Sequence, residues 1–68
     1  MTNSLLLNYK IKKSGFKVEF IAKELNLSRT GLYNKINGKS EFYASEIQKL
    51  SKLLKLDTDE REDIFFAL

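Results

Sequence analysis

Residues 28–39 hold the side chains of this chain that are best suited to recognising another molecule. They include one arginine, one threonine, one tyrosine and two asparagines: Arg29, Thr30, Tyr33, Asn34 and Asn37. An arginine can bind guanine O6 and N7 through two parallel hydrogen bonds, an asparagine can bind adenine N6 and N7, and a threonine offers a hydroxyl and a methyl group to thymine. The chemistry that this set favours is therefore hydrogen bonding to the edges of DNA bases.

Each of these side chains also has a purely structural interpretation. An exposed arginine on a helix often makes no specific contact, and Tyr33 could pack its ring over the joint between two helices. Asn37 could do no more than end a helix before Gly38. Three lysines nearer the N-terminus suit either a solvated helix face or contacts with DNA: Lys10, Lys12 and Lys13.

Five segments with the apolar periodicity of a helix must position these residues. They are residues 4–14, 17–25, 28–37 and 44–54, and a last segment that is capped by Asp57 or Thr58. Gly15 is well placed to end the first segment, and residues 39–43 predict a loop. No segment alternates for long enough to predict a strand. We therefore expect an all-α fold, in which residues 1–68 form one compact domain of about five short helices.

The second and third segments predict a helix-turn-helix unit. An apolar stripe at helical spacing runs along the second segment and consists of Val18, Ile21, Ala22 and Leu25. The small Ala22 would let the two helices cross closely, and Asn26 tolerates the left-handed conformation of a sharp turn. Ser28 is a good N-cap for the third helix, which Leu32 and Ile36 would pin to the core.

Residues 18–38 resemble the phage repressor and Cro-type helix-turn-helix family, the lambda-repressor-like domains. The resemblance extends over residues 7–54 and rests on Ile21-Ala22 followed by Leu25, on Leu27-Ser28-Arg29 and on Ile36-Asn37-Gly38-Lys39. It implies that the third helix reads DNA. It further implies base contacts from Arg29, Thr30, Tyr33 and Asn34, and backbone contacts from Lys17, Ser28, Asn37 and Lys39.

Three residues depart from the family pattern. Asn26 stands in place of the usual turn glycine, which it can replace because asparagine also adopts the left-handed conformation. Val18 stands where many relatives carry a glutamine that braces a phosphate and a recognition-helix side chain, and a valine cannot supply this brace. Lys35 occupies a position that is often apolar, so we expect its stem at the edge of the core and its ammonium in solvent.

Composition excludes several kinds of chemistry. The chain has no cysteine and no histidine, which removes disulfides, Cys/His zinc sites and histidine general-base catalysis. Its 68 residues leave little room for a catalytic cleft. The acidic residues at 57–63 are better explained by the dipole at a helix N-terminus than by paired catalytic carboxylates. We therefore expect no enzyme, no metal site, no cofactor and no small-molecule substrate.

The distribution of charge favours a polyanionic partner. Residues 1–39 carry eight Lys or Arg against two Glu, a net +6, whereas residues 40–68 carry four against seven acids, a net −3. A basic half suits approach to double-stranded DNA, although ordinary solvated helices could show the same uneven scatter. The run of three N-terminal leucines is too short for a signal peptide or a membrane span, so we expect a protein of the bacterial cytoplasm, at the nucleoid.

The last helix is expected to provide dimer contacts through Ile64, Phe65, Phe66 and Leu68. These residues offer more apolar surface than one small core can cover, and some family members dimerise through this helix; alternatively, both phenylalanines pack internally. The leading hypothesis is a phage or prophage Cro-like repressor that binds a palindromic operator as a homodimer. The alternatives are a helical protein-interaction module without DNA binding and an antitoxin-like accessory factor that needs a second protein.

Overall fold

Five α-helices follow one another in the computed structural model, which describes residues 1–66. They are α1 (Ser4–Ser14), α2 (Val18–Glu24), α3 (Arg29–Ile36), α4 (Ala44–Leu53) and α5 (Thr58–Phe65). These residues contain no strand, and they pack into a body of 26 × 24 × 21 Å. None of the five helices has the length and apolar character that a membrane span requires. The prediction of an all-α bundle of five short helices is confirmed.

Local capping chemistry explains where several of the helices begin. The side chain of Asn3 and the hydroxyl of Ser28 each accept a backbone N–H from the first turn of α1 and of α3, at 3.1 Å and 2.9 Å. Asp57 and Glu60 form a reciprocal capping box at the start of α5. These caps satisfy backbone N–H groups that have no partner within the helix, so the short helices start at defined residues.

Residues in the left-handed conformation follow the first four helices. Gly15 and Gly38 have φ values of 78° and 81°, and Asn26 has a φ of 56°, as its residue type predicts. Lys55 adopts the same conformation after α4 with a φ of 55°, which its residue type does not predict. The next residue, Leu56, packs on the core and donates its N–H to a carbonyl in the last turn of α4 at 2.9 Å, which holds this turn.

All five helices and the loop before α4 contribute to one hydrophobic core. Its fully buried side chains are Leu7, Ile21, Leu32, Ile36, Leu50 and Ile64. Phe42, in the segment predicted as a loop, is also buried, and its ring meets that of Phe65 edge to face with 5.4 Å between centroids. Because edge-to-face pairs of aromatic rings attract each other, this contact anchors the loop after α3 on α5.

The C-terminal aromatic pair divides between the core and the surface. Ile64 and Phe65 are 0% and 4% exposed and pack inside the single chain, whereas Phe66 is 55% exposed. Successive residues of a helix point about 100° apart, so two adjacent phenylalanines face different surroundings. The predicted dimer set is corrected accordingly: Ile64 and Phe65 belong to the core, Phe66 lies on the surface, and Leu68 lies outside the described residues.

The surroundings of Lys35 differ from the expectation. Its side chain is 9% exposed, and its Nζ lies 2.5 Å from Oε1 of Glu46 in the first turn of α4. The same oxygen accepts the N–H of Tyr43 at 2.8 Å, and the ammonium lies 3.9 Å from the centroid of the Tyr43 ring. The prediction of a solvated ammonium is wrong, because a carboxylate and an aromatic face satisfy the charge within the fold.

Polar contacts hold α1 against α3 and α5. The hydroxyl of Ser4 donates to the carbonyl of Ile36 at 2.5 Å, which joins the start of α1 to the end of α3. Lys10 on α1 forms an ion pair with Glu60 on α5. The hydrogen bond between these two side chains raises the pKa of Lys10 and lowers the pKa of Glu60, since it stabilises both charged forms.

Candidate nucleic-acid interface

Helices α2 and α3 pack against each other across a tight connection. The N–H of Leu27 donates to the carbonyl of Ala22 at 2.9 Å, which turns the chain back over the end of α2. Ala22 is 3% exposed, and the partly buried Leu27 packs on the core. The buried alanine and the left-handed Asn26 thus lie where the sequence predicts them.

The outward face of α3 carries the side chains that are predicted to contact bases. Arg29 and Thr30 are exposed, Tyr33 is 37% exposed and Asn34 is half-buried. The buried residues of this helix are Leu32, Lys35 and Ile36. Because these inward side chains fix α3 in the core, the outward ones are displayed at defined positions on a rigid element.

The chain leaves α3 through a turn that carries Asn37 and Lys39. The carbonyl of Asn34 accepts the N–H of Lys39 at 2.8 Å and that of Ser40 at 3.3 Å. Both Asn37 and Lys39 are exposed. The turn therefore holds two of the predicted backbone-contact residues beside the C-terminal end of α3.

An open groove, here called the basic groove, brings residues from three helices together. It is lined by Asn8, Ile11, Lys12, Phe16, Lys17, Val18, Glu19, Arg29 and Tyr33. Three of the predicted DNA contacts, Lys17, Arg29 and Tyr33, are among them. The other five lie outside its lining, and these are Ser28, Thr30, Asn34, Asn37 and Lys39.

The structure separates the three lysines of α1 that the sequence left undecided. Lys12 lines the basic groove, Lys10 is paired with Glu60, and the Nζ of Lys13 lies 5.7 Å from the centroid of the Tyr9 ring. Of the three, Lys12 alone joins the candidate interface. Asn8, which the sequence analysis missed, precedes it by four residues, and this helical spacing is the signal that could have placed both on one face.

The guanidinium of Arg29 has two neighbours within the basic groove. Its Nη1 lies 3.9 Å from Oε2 of Glu19, and its Cζ lies 5.9 Å from the centroid of the Tyr33 ring. Both a carboxylate and an aromatic face attract a cation. The side chains of Arg29 and Glu19 are 62% and 63% exposed, so the guanidinium remains accessible to a ligand. Sequence reasoning did not assign Glu19 to this site, although it considered the preceding residue, Val18, for a phosphate brace.

Comparisons with known proteins give no relative: no family model, no curated protein and no solved structure matches the chain. Within residues 1–66, no group of acidic side chains is arranged to hold a metal ion. The candidate interface consists of three parts, which are the outward face of α3, the turn after α3 and the basic groove.

Proposed function

We propose that this chain is a sequence-specific DNA-binding transcription regulator, in which α2 and α3 form a helix-turn-helix and α3 is the recognition helix. The observation that carries the proposal is the outward face of α3, where Arg29, Thr30 and Tyr33 are displayed beside the basic groove. The major groove of B-DNA is about 12 Å wide and admits an α-helix. The resemblance of residues 18–38 to phage repressors supports the same function.

Two kinds of contact contribute to DNA recognition, namely contacts with base edges and contacts with phosphates. The side chains of α3, led by Arg29, read base edges and supply sequence preference. Lys12, Lys17 and Lys39 neutralise phosphates, which contributes affinity and fixes the register on the duplex, and Ser28 and Asn37 are further candidates for backbone contacts. The protein regulates by occupying its site, without catalysis and without a cofactor.

The regulator acts as a homodimer on a palindromic operator, in the manner of a small Cro-type repressor. A groove between α4 and α5 supports this part of the proposal, since it is lined by Phe42, Ile47 and the exposed Phe66. Phe66 is 55% exposed in the single chain, so its burial in a dimer contributes about half of the 1.5–3 kcal/mol of a whole side chain, which suits a dimer that is weak off DNA. A two-fold axis would place two recognition helices about 34 Å apart, one turn of DNA.

Selection of bound duplexes from a random library tests the proposal. We expect a palindromic site, and a slope of log affinity against log salt of about −5 for roughly six phosphate contacts across the dimer. Arg29→Ala should cost about 1–3 kcal/mol per half-site and relax the preference at one base pair. Lys17→Ala should weaken binding to all duplexes alike, and Lys52→Ala on the exposed side of α4 is its matched control.

Two results would refute DNA recognition by this surface. One is an affinity that is equal for all duplexes and unchanged between low and physiological salt. The other is an Arg29→Ala variant that stays folded and keeps both the preferred site and its affinity.

The second candidate function is a protein-interaction module or an antitoxin-like accessory factor. It is favoured by the surface rings of Phe16 and Phe20, which are 37% and 42% exposed with 5.1 Å between their centroids. Such a pair suits contact with another protein. Specific binding of the isolated chain to DNA, without a second protein, would decide against this candidate.

A further inference from the structure

One acidic side chain lies among the cations of the basic groove. Of the nine residues that line the groove in the described part of the chain, Lys12, Lys17 and Arg29 are positive and Glu19 alone is negative. The carboxylate of Glu19 lies 3.9 Å from Nη1 of Arg29. A carboxylate is unfavourable beside a polyanion, because like charges across an interface oppose association.

Glu19 contributes little to the free energy of folding. The pair with Arg29 joins two side chains that are more than half exposed, and exposed pairs contribute little to the free energy of folding. Glu19 lies in the first turn of α2, where the helix dipole favours a negative charge only slightly at an exposed position. The contribution of Glu19 to folding is therefore small, and its main effect is on the charge of the groove lining.

We propose that Glu19 determines the sequence specificity of DNA binding by positioning Arg29 and by opposing docking on phosphates alone. This inference rests on the proposed function. In the absence of a matching base, the Glu19 carboxylate offsets the charge of Arg29, so the groove attracts any duplex less strongly. At a matching site, the guanidinium keeps further N–H donors for guanine O6 and N7 while one edge faces Glu19.

The two effects of Glu19 act on different complexes. Opposition to phosphates weakens every complex, whether or not a guanine is present. Orientation of Arg29 favours only the complex in which Arg29 reaches guanine, because the Arg29–Glu19 pair becomes stronger where bound DNA excludes water than it is on the exposed surface of the free protein. The ratio of specific to non-specific affinity is therefore higher with Glu19 than with a neutral side chain of the same shape.

The test compares Glu19→Gln with Glu24→Gln in the same helix. Glu24 is also exposed, but it lines a different groove with Lys49 and Lys52, so its replacement changes the net charge equally without touching the basic groove. Dissociation constants would be measured at several salt concentrations for three duplexes: the selected site, the same site with the guanine replaced, and an unrelated sequence. Thermal melting would verify that both variants fold.

Glu19→Gln should bind the unrelated duplex more tightly than the wild type does. Removal of the Glu19 charge is equivalent to about one additional phosphate contact per subunit. Such a contact steepens the slope of log affinity against log salt by about 0.9 and raises the affinity about eightfold at 0.1 M salt. The selected site should gain less, so discrimination between the two duplexes falls. Glu24→Gln should leave discrimination unchanged. In an Arg29→Ala background, Glu19→Gln should no longer alter the preference for guanine.

Three outcomes would overturn the inference. If Glu19→Gln changes all three duplexes by the same factor, or changes them no more than Glu24→Gln does, Glu19 does not determine specificity even though the protein binds DNA. If the guanine preference responds to Glu19→Gln without Arg29, Glu19 does not act through that side chain. If the wild type prefers no duplex, the proposed function itself fails, which the wild-type measurements alone reveal.

Discussion

Replacement of Lys35 by methionine should destabilise the folded domain by about 3 kcal/mol, because it leaves the carboxylate of Glu46 buried without its cation. The Lys35 and Glu46 side chains are 9% and 10% exposed, and Nζ and Oε1 are 2.5 Å apart, so water can replace little of the lost contact. A domain of this length has a free energy of unfolding of about 3–10 kcal/mol. The melting temperature should therefore fall by about 15 °C.

Removal of both charges should cost much less than removal of one. In Lys35→Met/Glu46→Gln, methionine keeps most of the volume of the lysine stem, and glutamine can still accept the N–H of Tyr43, as it does in other capping boxes. Buried ion pairs often contribute no more than well-packed neutral side chains of similar volume. We expect the double variant to lie within about 1 kcal/mol of the wild type.

Urea unfolding followed by far-ultraviolet circular dichroism measures these differences. The exposed pair supplies the control, since Glu19→Gln removes a partner of Arg29 whose side chain is 62% exposed and should change stability by less than about 1 kcal/mol. Equal stability of Lys35→Met and the wild type would refute the argument that the pair is buried. So would a double variant that is as unstable as Lys35→Met.

The remaining predictions concern the helix crossing, the response to acid and the surface of α5. Ala22→Leu should lower the melting temperature, because overpacking at a residue that is 3% exposed costs about 1–3 kcal/mol. An unchanged melting temperature would show that α2 and α3 are not closely packed at Ala22. The hydrogen bond with Lys10 lowers the pKa of Glu60, so the Glu60 carboxylate stabilises the fold at pH values above its ordinary pKa of 4.5. This stabilisation is lost as the pH falls through the lowered pKa. Glu60→Gln should remove that part of the acid dependence when urea unfolding is measured at pH 2–6. Phe66→Ser should leave the domain folded and weaken dimerisation, which analytical ultracentrifugation measures, because Phe66 is exposed. Phe65→Ser should unfold the domain, because Phe65 is buried. Full retention of the dimer in Phe66→Ser would argue against a dimer contact through Phe66.

Sequence reasoning predicted the elements of the fold and the outward face of α3 because both depend on short-range chemistry. The cap at Ser28 and the turn at Asn26 involve residues that are near neighbours in the chain. Helical periodicity then determines which side chains of α3 share the outward face with Arg29 once Leu32 and Ile36 are assigned to the core. Local residue types do not predict the left-handed Lys55, which is held in place by the packing of the next residue.

The tertiary structure decided which distant residues meet. Lys35 and Glu46 are 11 positions apart, and Lys10 and Glu60 are 50 positions apart. Periodicity assigns a residue to a face of its own helix, but the rotation and spacing of neighbouring helices are set by the packing of the whole core. For that reason the sequence alone determined that this chain forms five short helices with a polar outward face on the third. Only the packed structure brought Lys12 and Glu19 into one groove with Arg29 and determined that Phe65, rather than Phe66, is the buried phenylalanine.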